Sequence, residues 1–197
     1  ALPSSGPAAV TFLAVLRRAD FRSLWVAQMA SQLADKFLVY TLLIVIFALT
    51  GRSSTQSLVL LAYTLPSILL SAPAGVYADR HDKRTLMLST NAARAFLVVL
   101  MPVCLITPGL NDQPWPLIVI TLLFSSVGQV FAPAEAASIP FLVNRDQIMI
   151  ATSLFMTTVV GTLVAGVPLA TVTIKVTGTR VPFLVAAALF VVSTVMV

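Results

Sequence analysis

The chain has 197 residues, 58% of them hydrophobic and 10% charged, with a mean hydropathy of +0.99 and a formal net charge of +5. A water-soluble domain of this size lacks the polar surface to cover so much apolar material, so composition excludes the soluble classes and predicts an integral membrane protein. The basic residues lie at the ends of apolar runs rather than on one face, which reads as topology signalling and not as nucleic-acid binding.

Residues 1–9 predict a small, Pro-rich disordered tail. The chain opens on Ala1 rather than methionine, which predicts numbering that begins after trimming or in the middle of a longer product. No secretory signal is expected, because the arginines follow the short apolar stretch Ala8 to Leu16 instead of preceding it. Over residues 10–22, Phe12, Leu13, Leu16 and Phe21 interleave with Arg17, Arg18, Asp20 and Arg22. That spacing predicts an amphipathic lead-in helix lying in the headgroup region.

Residues 23–197 predict an all-α bundle of six transmembrane helices, at about 23–49, 56–77, 85–107, 115–137, 148–174 and 182–197. The first five are long enough to cross a hydrocarbon core of roughly 30 Å, whereas the sixth is short and reads as incomplete. In the first span Gln28, Gln32 and Asp35 recur at i, i+4 and i+7, on one helical stripe, with Lys36 beside it. Pro66 and Pro73 predict kinks in the second span, which neighbouring helices tolerate by satisfying the freed carbonyls. Its small residues Ser67, Ser71, Ala74 and Gly75 suit close helix contact. The stretch Gly75 to Arg84 is expected to form a charged turn. The third span carries Asn91 and Arg94 in its interior, and Pro108 to Pro114 is a loop without a basic residue. Trp115 opens the fourth span as an interfacial anchor. Glu135 is expected near that span's far end, with Ile139 to Gln147 as the next connection. Gly161, Gly166 and Pro168 make the fifth span thin and bendable, and Lys175 to Arg180 is a turn.

Orientation follows from the basic residues. Arg17, Arg18, Arg22, Arg80, Lys83, Arg84 and Arg145 fall on one side, against Arg52, Lys175 and Arg180 on the other. The richer side is predicted to be cytoplasmic, with the N-terminus on it.

The motif Gly75-x-x-x-Asp79-Arg80-x-x-Lys83-Arg84 between the second and third of six spans resembles the signature loop of the major facilitator superfamily. The resemblance covers about Arg17 to Val197 and implies the N-terminal six-helix half of such a transporter. It also implies that Asp79 and the final basic residue help latch two halves together on the cytoplasmic side. Phe21-Arg22-Ser23-Leu24-Trp25 with Ser31-Gln32-Leu33-Ala34-Asp35, Asn91-Ala-Ala-Arg94, and Phe131-Ala132-Pro133-Ala134 are similar to segments of the macrolide- and siderophore-exporter-like branch. Comparable segments in lysophospholipid transporters keep a lipid substrate open, and a non-transporting six-helix subunit is a third reading. The antiporter pattern of the fifth helix is poorly matched, since Gly161 and Gly166 are five apart and Val167 separates Gly166 from Pro168. The resemblance implies alternating access in a bacterial-type inner membrane, with membrane lipids, a small-molecule or lipid substrate and a second six-helix half as partners.

Among individual residues, topology accounts for Arg80, Lys83 and Arg84 but not for the acidic Asp79 and Asp82. Asp79 is expected to cap the third helix or to bond a neighbouring one. Asp35 lies roughly 20 Å along its helix from Ser23, and Arg94 about 14 Å into its own, at the ordinary helical rise. The two depths allow a buried pair that only fixes packing. Alternatively Asp35, with Gln28 and Gln32, faces a water-filled cavity and titrates during transport. Lys36 is a weaker partner because adjacent helical residues point about 100° apart. Asn91 and Glu135 are secondary candidates, the latter read first as an interfacial carboxylate held by Arg145 or by the charged turn. His81 stands alone, so no metal site is expected. The single Cys104 has no partner for an intrachain disulfide, and no nucleophile–base pair or phosphate loop predicts an enzyme or a cofactor.

Overall fold

The computed structural model describes residues 12–197. The expected tail, residues 1–9, and the first two residues of the lead-in lie outside them. Hydrocarbon offers no water to backbone N–H and C=O groups, so an apolar chain must satisfy them internally, and helices do so along their whole length. The described residues accordingly form helices and turns only: α1 (Phe12–Leu16), α2 (Ala19–Thr50), α3 (Ser53–Arg80), α4 (Lys83–Ile106), α5 (Trp115–Leu142), a 3-10 turn (Arg145–Gln147), α6 (Ile148–Thr177) and α7 (Val181–Met196). Helices α2 to α6 are long and apolar enough to cross a membrane, and α7 is a shorter apolar helix. The chain is a multi-pass helical membrane bundle.

The helices run further into the connections than the sequence suggests. Of the stretch Gly75 to Arg84, only His81 and Asp82 lie outside helices. Gly75, Asp79 and Arg80 ride on the end of α3, and Lys83 and Arg84 open α4. The cap of α4 is Asp82, not Asp79: the Thr85 N–H donates to Asp82 Oδ2 at 2.7 Å. Asp82 sits directly before the first helical residue, where a side-chain acceptor reaches the third backbone N–H, whereas Asp79 is still inside α3. Likewise α5 continues through Pro133 and Pro140 to Leu142, into the segment expected as a connection. The helix ends there, and Asn144 and Gln147 cap each other across the short turn into α6. At the start, the helix breaks at Arg17–Arg18, so α2 takes in Ala19 to Arg22 from the lead-in segment. Gly51, at φ 63°, closes α2 with its N–H on the Phe47 carbonyl at 2.8 Å.

The bond from the Thr85 N–H holds the Asp82 carboxyl below the ordinary Asp value of 3.8, helped by Arg84 and Lys83. A group whose pKa is lowered by folding stabilises the fold above its unfolded pKa and loses that contribution as pH falls through the folded one. Asp82→Ala is therefore expected to lower the melting temperature at neutral pH. The gap to the native protein should close in acid, below the ordinary value. Thermal unfolding of both proteins across pH checks this, and a gap that is independent of pH would contradict the cap.

The helices form an open ring in the order α3, α5, α4, α7, α2, α6, with α1 seated against α2 and α6. One apolar cluster joins Phe37, Leu38, Leu42, Val98, Met101, Leu117, Phe124, Phe183 and Phe190. A second, toward the end that carries the charged motif, joins Phe21, Leu24, Leu86, Met87, Phe131, Ala134 and Phe155. Between the two lies a buried polar layer: Ser31 from α2, Asn91 and Arg94 from α4, Ser125 from α5 and Ser193 from α7. Helices α3 and α6 bury the smallest share of their apolar length. On α3 the small-residue face is only partly in contact: Ala74 is buried, while Ser67 and Ser71 are exposed and no atom lies within 4 Å of a methyl placed on Gly75.

Candidate functional site

The polar layer opens on one side into a cavity of about 210 Å³ between α2, α3, α4 and α5, lined by Ser31, Gln32, Asp35, Lys36, Tyr63, Thr64, Ser67, Arg94, Ser125, Gly128, Gln129, Phe131 and Ala132. A larger concavity of about 610 Å³ at the charged end is walled by exposed groups such as Asp20, Asp82, Arg84 and Phe141. Only the smaller one has buried charge on its wall.

Asp35 is the centre of the site. Its Oδ1 accepts from Arg94 Nη2, and its Oδ2 accepts from the Tyr63 hydroxyl and from Lys36 Nζ at 3.2 Å. The carboxylate thus joins α2, α3 and α4. A buried charge of this kind is tolerated only where it is paired and hydrogen-bonded, and here three donors meet it. The Lys36 contact runs against the simple angular argument. Its long flexible stem curls back to the carboxylate of the preceding residue, which a short side chain cannot do.

Arg94 is fixed from every direction. Its guanidinium carbon lies 4.4 Å from the Phe124 ring centre and 4.5 Å from that of Phe190. The two rings meet edge to face at 5.5 Å, so the cation sits against both. Nη1 donates to Ser31 Oγ at 3.4 Å, while Nε is buried without a partner. Behind it, a methyl on Gly128 would stand 3.4 Å from the guanidinium carbon, so the bare glycine backbone gives the plane its room. A second glycine, Gly166, does the same for Lys36. A Cβ there would meet Lys36 Cβ at 2.8 Å, which is closer than carbon atoms approach.

The other expected site residues fall in different places. Gln32 lines the cavity, whereas Gln28 is buried off it with Oε1 unpartnered. Asn91 donates from Nδ2 to Ser193 Oγ at 2.7 Å, and Ser193 donates on to the Ala27 carbonyl at 2.7 Å. Asn91 therefore tethers α4 to α7 and α2 and does not face the cavity. Gly75, Asp79, Arg80, Lys83 and Arg84 gather at the far end of the bundle, away from Asp35. Lys83 Nζ donates to the Asp79 backbone carbonyl at 3.0 Å, and the Asp79 side chain is exposed.

Glu135 corrects an expectation. It is 5% exposed, its Oε1 has no hydrogen-bond partner, and neither Arg145 nor the charged motif holds it. The extension of α5 past Pro140 draws residue 135 inside the bundle instead of leaving it at the interface. An amide is cheaper to bury than a carboxyl without a cation. Glu135→Gln is thus expected to leave stability unchanged or raise it by about 1 kcal/mol, read by thermal unfolding of the purified protein. A clear loss would mean that the carboxyl has a structural partner.

Sequence reading gives no site role to Tyr63, Phe124, Phe190 or Gly128, and names Ser31 only within the segment Ser31 to Asp35. A signal existed for Tyr63, because a tyrosine in mid-span must find a partner for its hydroxyl. Phe124 and Gly128 also stand one turn apart on α5, on a shared face. Nothing in the sequence marks Phe190 among the apolar residues of α7.

The family model described as Major Facilitator Superfamily matches residues 24–197, nearly all of the described bundle. The chain belongs to the major facilitator superfamily. Among curated facilitator proteins it is similar to Macrolide efflux protein A of Streptococcus pyogenes, 26% identical over 129 residues, which is 65% of this chain and 31% of that one. It is also similar to the uncharacterized MFS-type transporter YfiS of Bacillus subtilis, 28% identical over 132 residues, 66% of this chain and 30% of the other. This facilitator chain spans about a third of the length of the curated relatives it matches. No solved structure matches it. Members of the superfamily are transporters, and the six helices of this chain form half of such a fold.

Proposed function

We propose that this chain forms one wall of a secondary transporter that moves an amphipathic small molecule out of the cell by alternating access, coupled to protons and without enzymatic chemistry. The observation that carries the reading is the Asp35 carboxylate, paired with Arg94 and Lys36 and exposed to a polar cavity at mid-bundle. Charged groups kept within a membrane bundle mark substrate or proton paths, because their burial is otherwise unfavourable. A site at mid-depth with helices on either side is the arrangement around which two halves rock. A second six-helix half would supply the opposite wall, and the sparsely buried α3 and α6 offer it surface. The exposed, unpaired Asp79 side chain supports a latch to that half. The name of one relative, Macrolide efflux protein A, supports export, and the excess of basic residues at the charged end supports a cytoplasmic placement of that end in a bacterial-type inner membrane.

The test uses the full-length transporter in proteoliposomes under an imposed pH gradient. Asp35→Asn keeps the size of the side chain but replaces one acceptor oxygen with a donor NH2 and removes the charge and the capacity to carry a proton. It is expected to abolish gradient-driven flux while the protein still inserts and folds. Full flux from Asp35→Asn would remove Asp35 from the coupling path.

A further inference from the structure

The charges on the cavity wall are unequal. Two cations, Lys36 and Arg94, face it against a single carboxylate, Asp35. The remaining polar lining is hydroxyl and amide. With all three groups charged the lining carries one net positive charge; the buried Glu135 carboxyl, the other acidic group near Arg94, lies off the lining. Low-dielectric walls focus such a field and draw an anion in. Arg94 cannot swing out to meet one, because Phe124, Phe190 and Gly128 hold its plane. Lys36 can. Its side chain is 24% exposed, and Nζ bonds only the carboxylate next to it in sequence, which leaves N–H donors free toward the cavity. At about 210 Å³ the space is smaller than the roughly 300–1,000 Å³ of sites that enclose a whole drug-sized ligand, so it suits a head group and not an entire amphiphile. Phe131 and Ala132 form an apolar border where a tail would leave it.

We infer that this cavity is an anion-binding subsite, with Lys36 as the donor that engages the negatively charged head group of an amphiphilic substrate and Arg94 as the fixed cation behind it. The inference rests on the transport reading and narrows it. The substrate is an anionic amphiphile, not a cationic one.

Three ligands sharing one twelve-carbon tail test this on the full-length protein in nanodiscs: dodecyl phosphate, dodecyl glucoside and dodecyltrimethylammonium, with inorganic phosphate as a fourth arm. Binding is read by calorimetry or thermal shift. Dodecyl phosphate is expected to bind tightest and the trimethylammonium weakest. Lys36→Gln should weaken dodecyl phosphate by about tenfold, the worth of one charge-assisted hydrogen bond, while leaving dodecyl glucoside unchanged. Lys36→Arg should restore the preference. Tighter binding of the cationic amphiphile overturns the inference, as does an anion preference that survives Lys36→Gln in folded protein. Inorganic phosphate binding as tightly as dodecyl phosphate would make the ligand a free anion and overturn its amphiphilic part. Where Lys36→Gln does not fold, the head-group order in the native protein decides alone. Anion binding without flux keeps this subsite and removes the transport reading, whereas flux with a cationic preference does the reverse.

Discussion

Arg94→Leu is expected to destabilise the bundle by about 3 kcal/mol, the lower end of the range for breaking a buried ion pair by removing one partner. The magnitude follows from what the change leaves behind. Asp35 keeps Lys36 and the Tyr63 hydroxyl, so it is not fully orphaned, but Oδ1 loses its donor inside the polar layer. Ser31 loses a donor as well, and two phenyl rings lose the cation between them. Arg94→Lys should recover only part of the loss, since an ammonium cannot spread across both rings or reach two acceptors as a planar fork does. The double change Asp35→Leu with Arg94→Leu removes both charges and should be more stable than Arg94→Leu alone. Thermal unfolding of the four proteins decides it. If the double variant is the less stable, the pair is not what makes the single change costly.

Phe190→Ala carries the second large effect, a loss of about 3–5 kcal/mol for a fully buried aromatic side chain. Phe190 fills the first apolar cluster, packs edge to face on Phe124 and covers one face of Arg94. Truncation opens a cavity beside a cation, so water or a shift of the guanidinium follows. Phe141→Ala is the control. That ring is 83% exposed, and its removal should shift the melting temperature little. Phe190→Leu separates packing from the cation contact, because it keeps most of the volume but offers no ring face. Normal stability together with altered substrate affinity in Phe190→Leu would show that the ring positions Arg94. Equal losses in Phe190→Ala and Phe141→Ala would contradict the packing described here.

Much of the architecture was legible because hydrocarbon leaves a chain few options. Apolar runs of sufficient length must be helical, and the charged motif between the second and third pointed to the family before any contact was known. The Asp35–Arg94 pair was legible as two depths that match. Tertiary company was not. Lys36 was discounted by helical angle, yet a flexible side chain ignores that angle. A fourth span ending near residue 137 makes Glu135 interfacial, whereas α5 runs on through Pro133 and Pro140 to Leu142. The sequence suggests Asp79 as a cap, but the cap is Asp82, three residues later, because α3 runs on to Arg80. Phe124, Phe190 and Gly128 look like ordinary membrane residues in sequence, and only the approach of α4 to α5 and α7 makes them a setting for Arg94.

The polar layer lies between two apolar clusters, and that stacking has an electrical consequence. A membrane that holds a voltage must not conduct through its proteins. Apolar packing on either side separates the charges of Asp35, Lys36 and Arg94 from both ends of the bundle. The opening onto those charges lies on the side of the bundle, in the cavity between α2, α3, α4 and α5. The bundle is therefore apolar toward both ends and polar across its width.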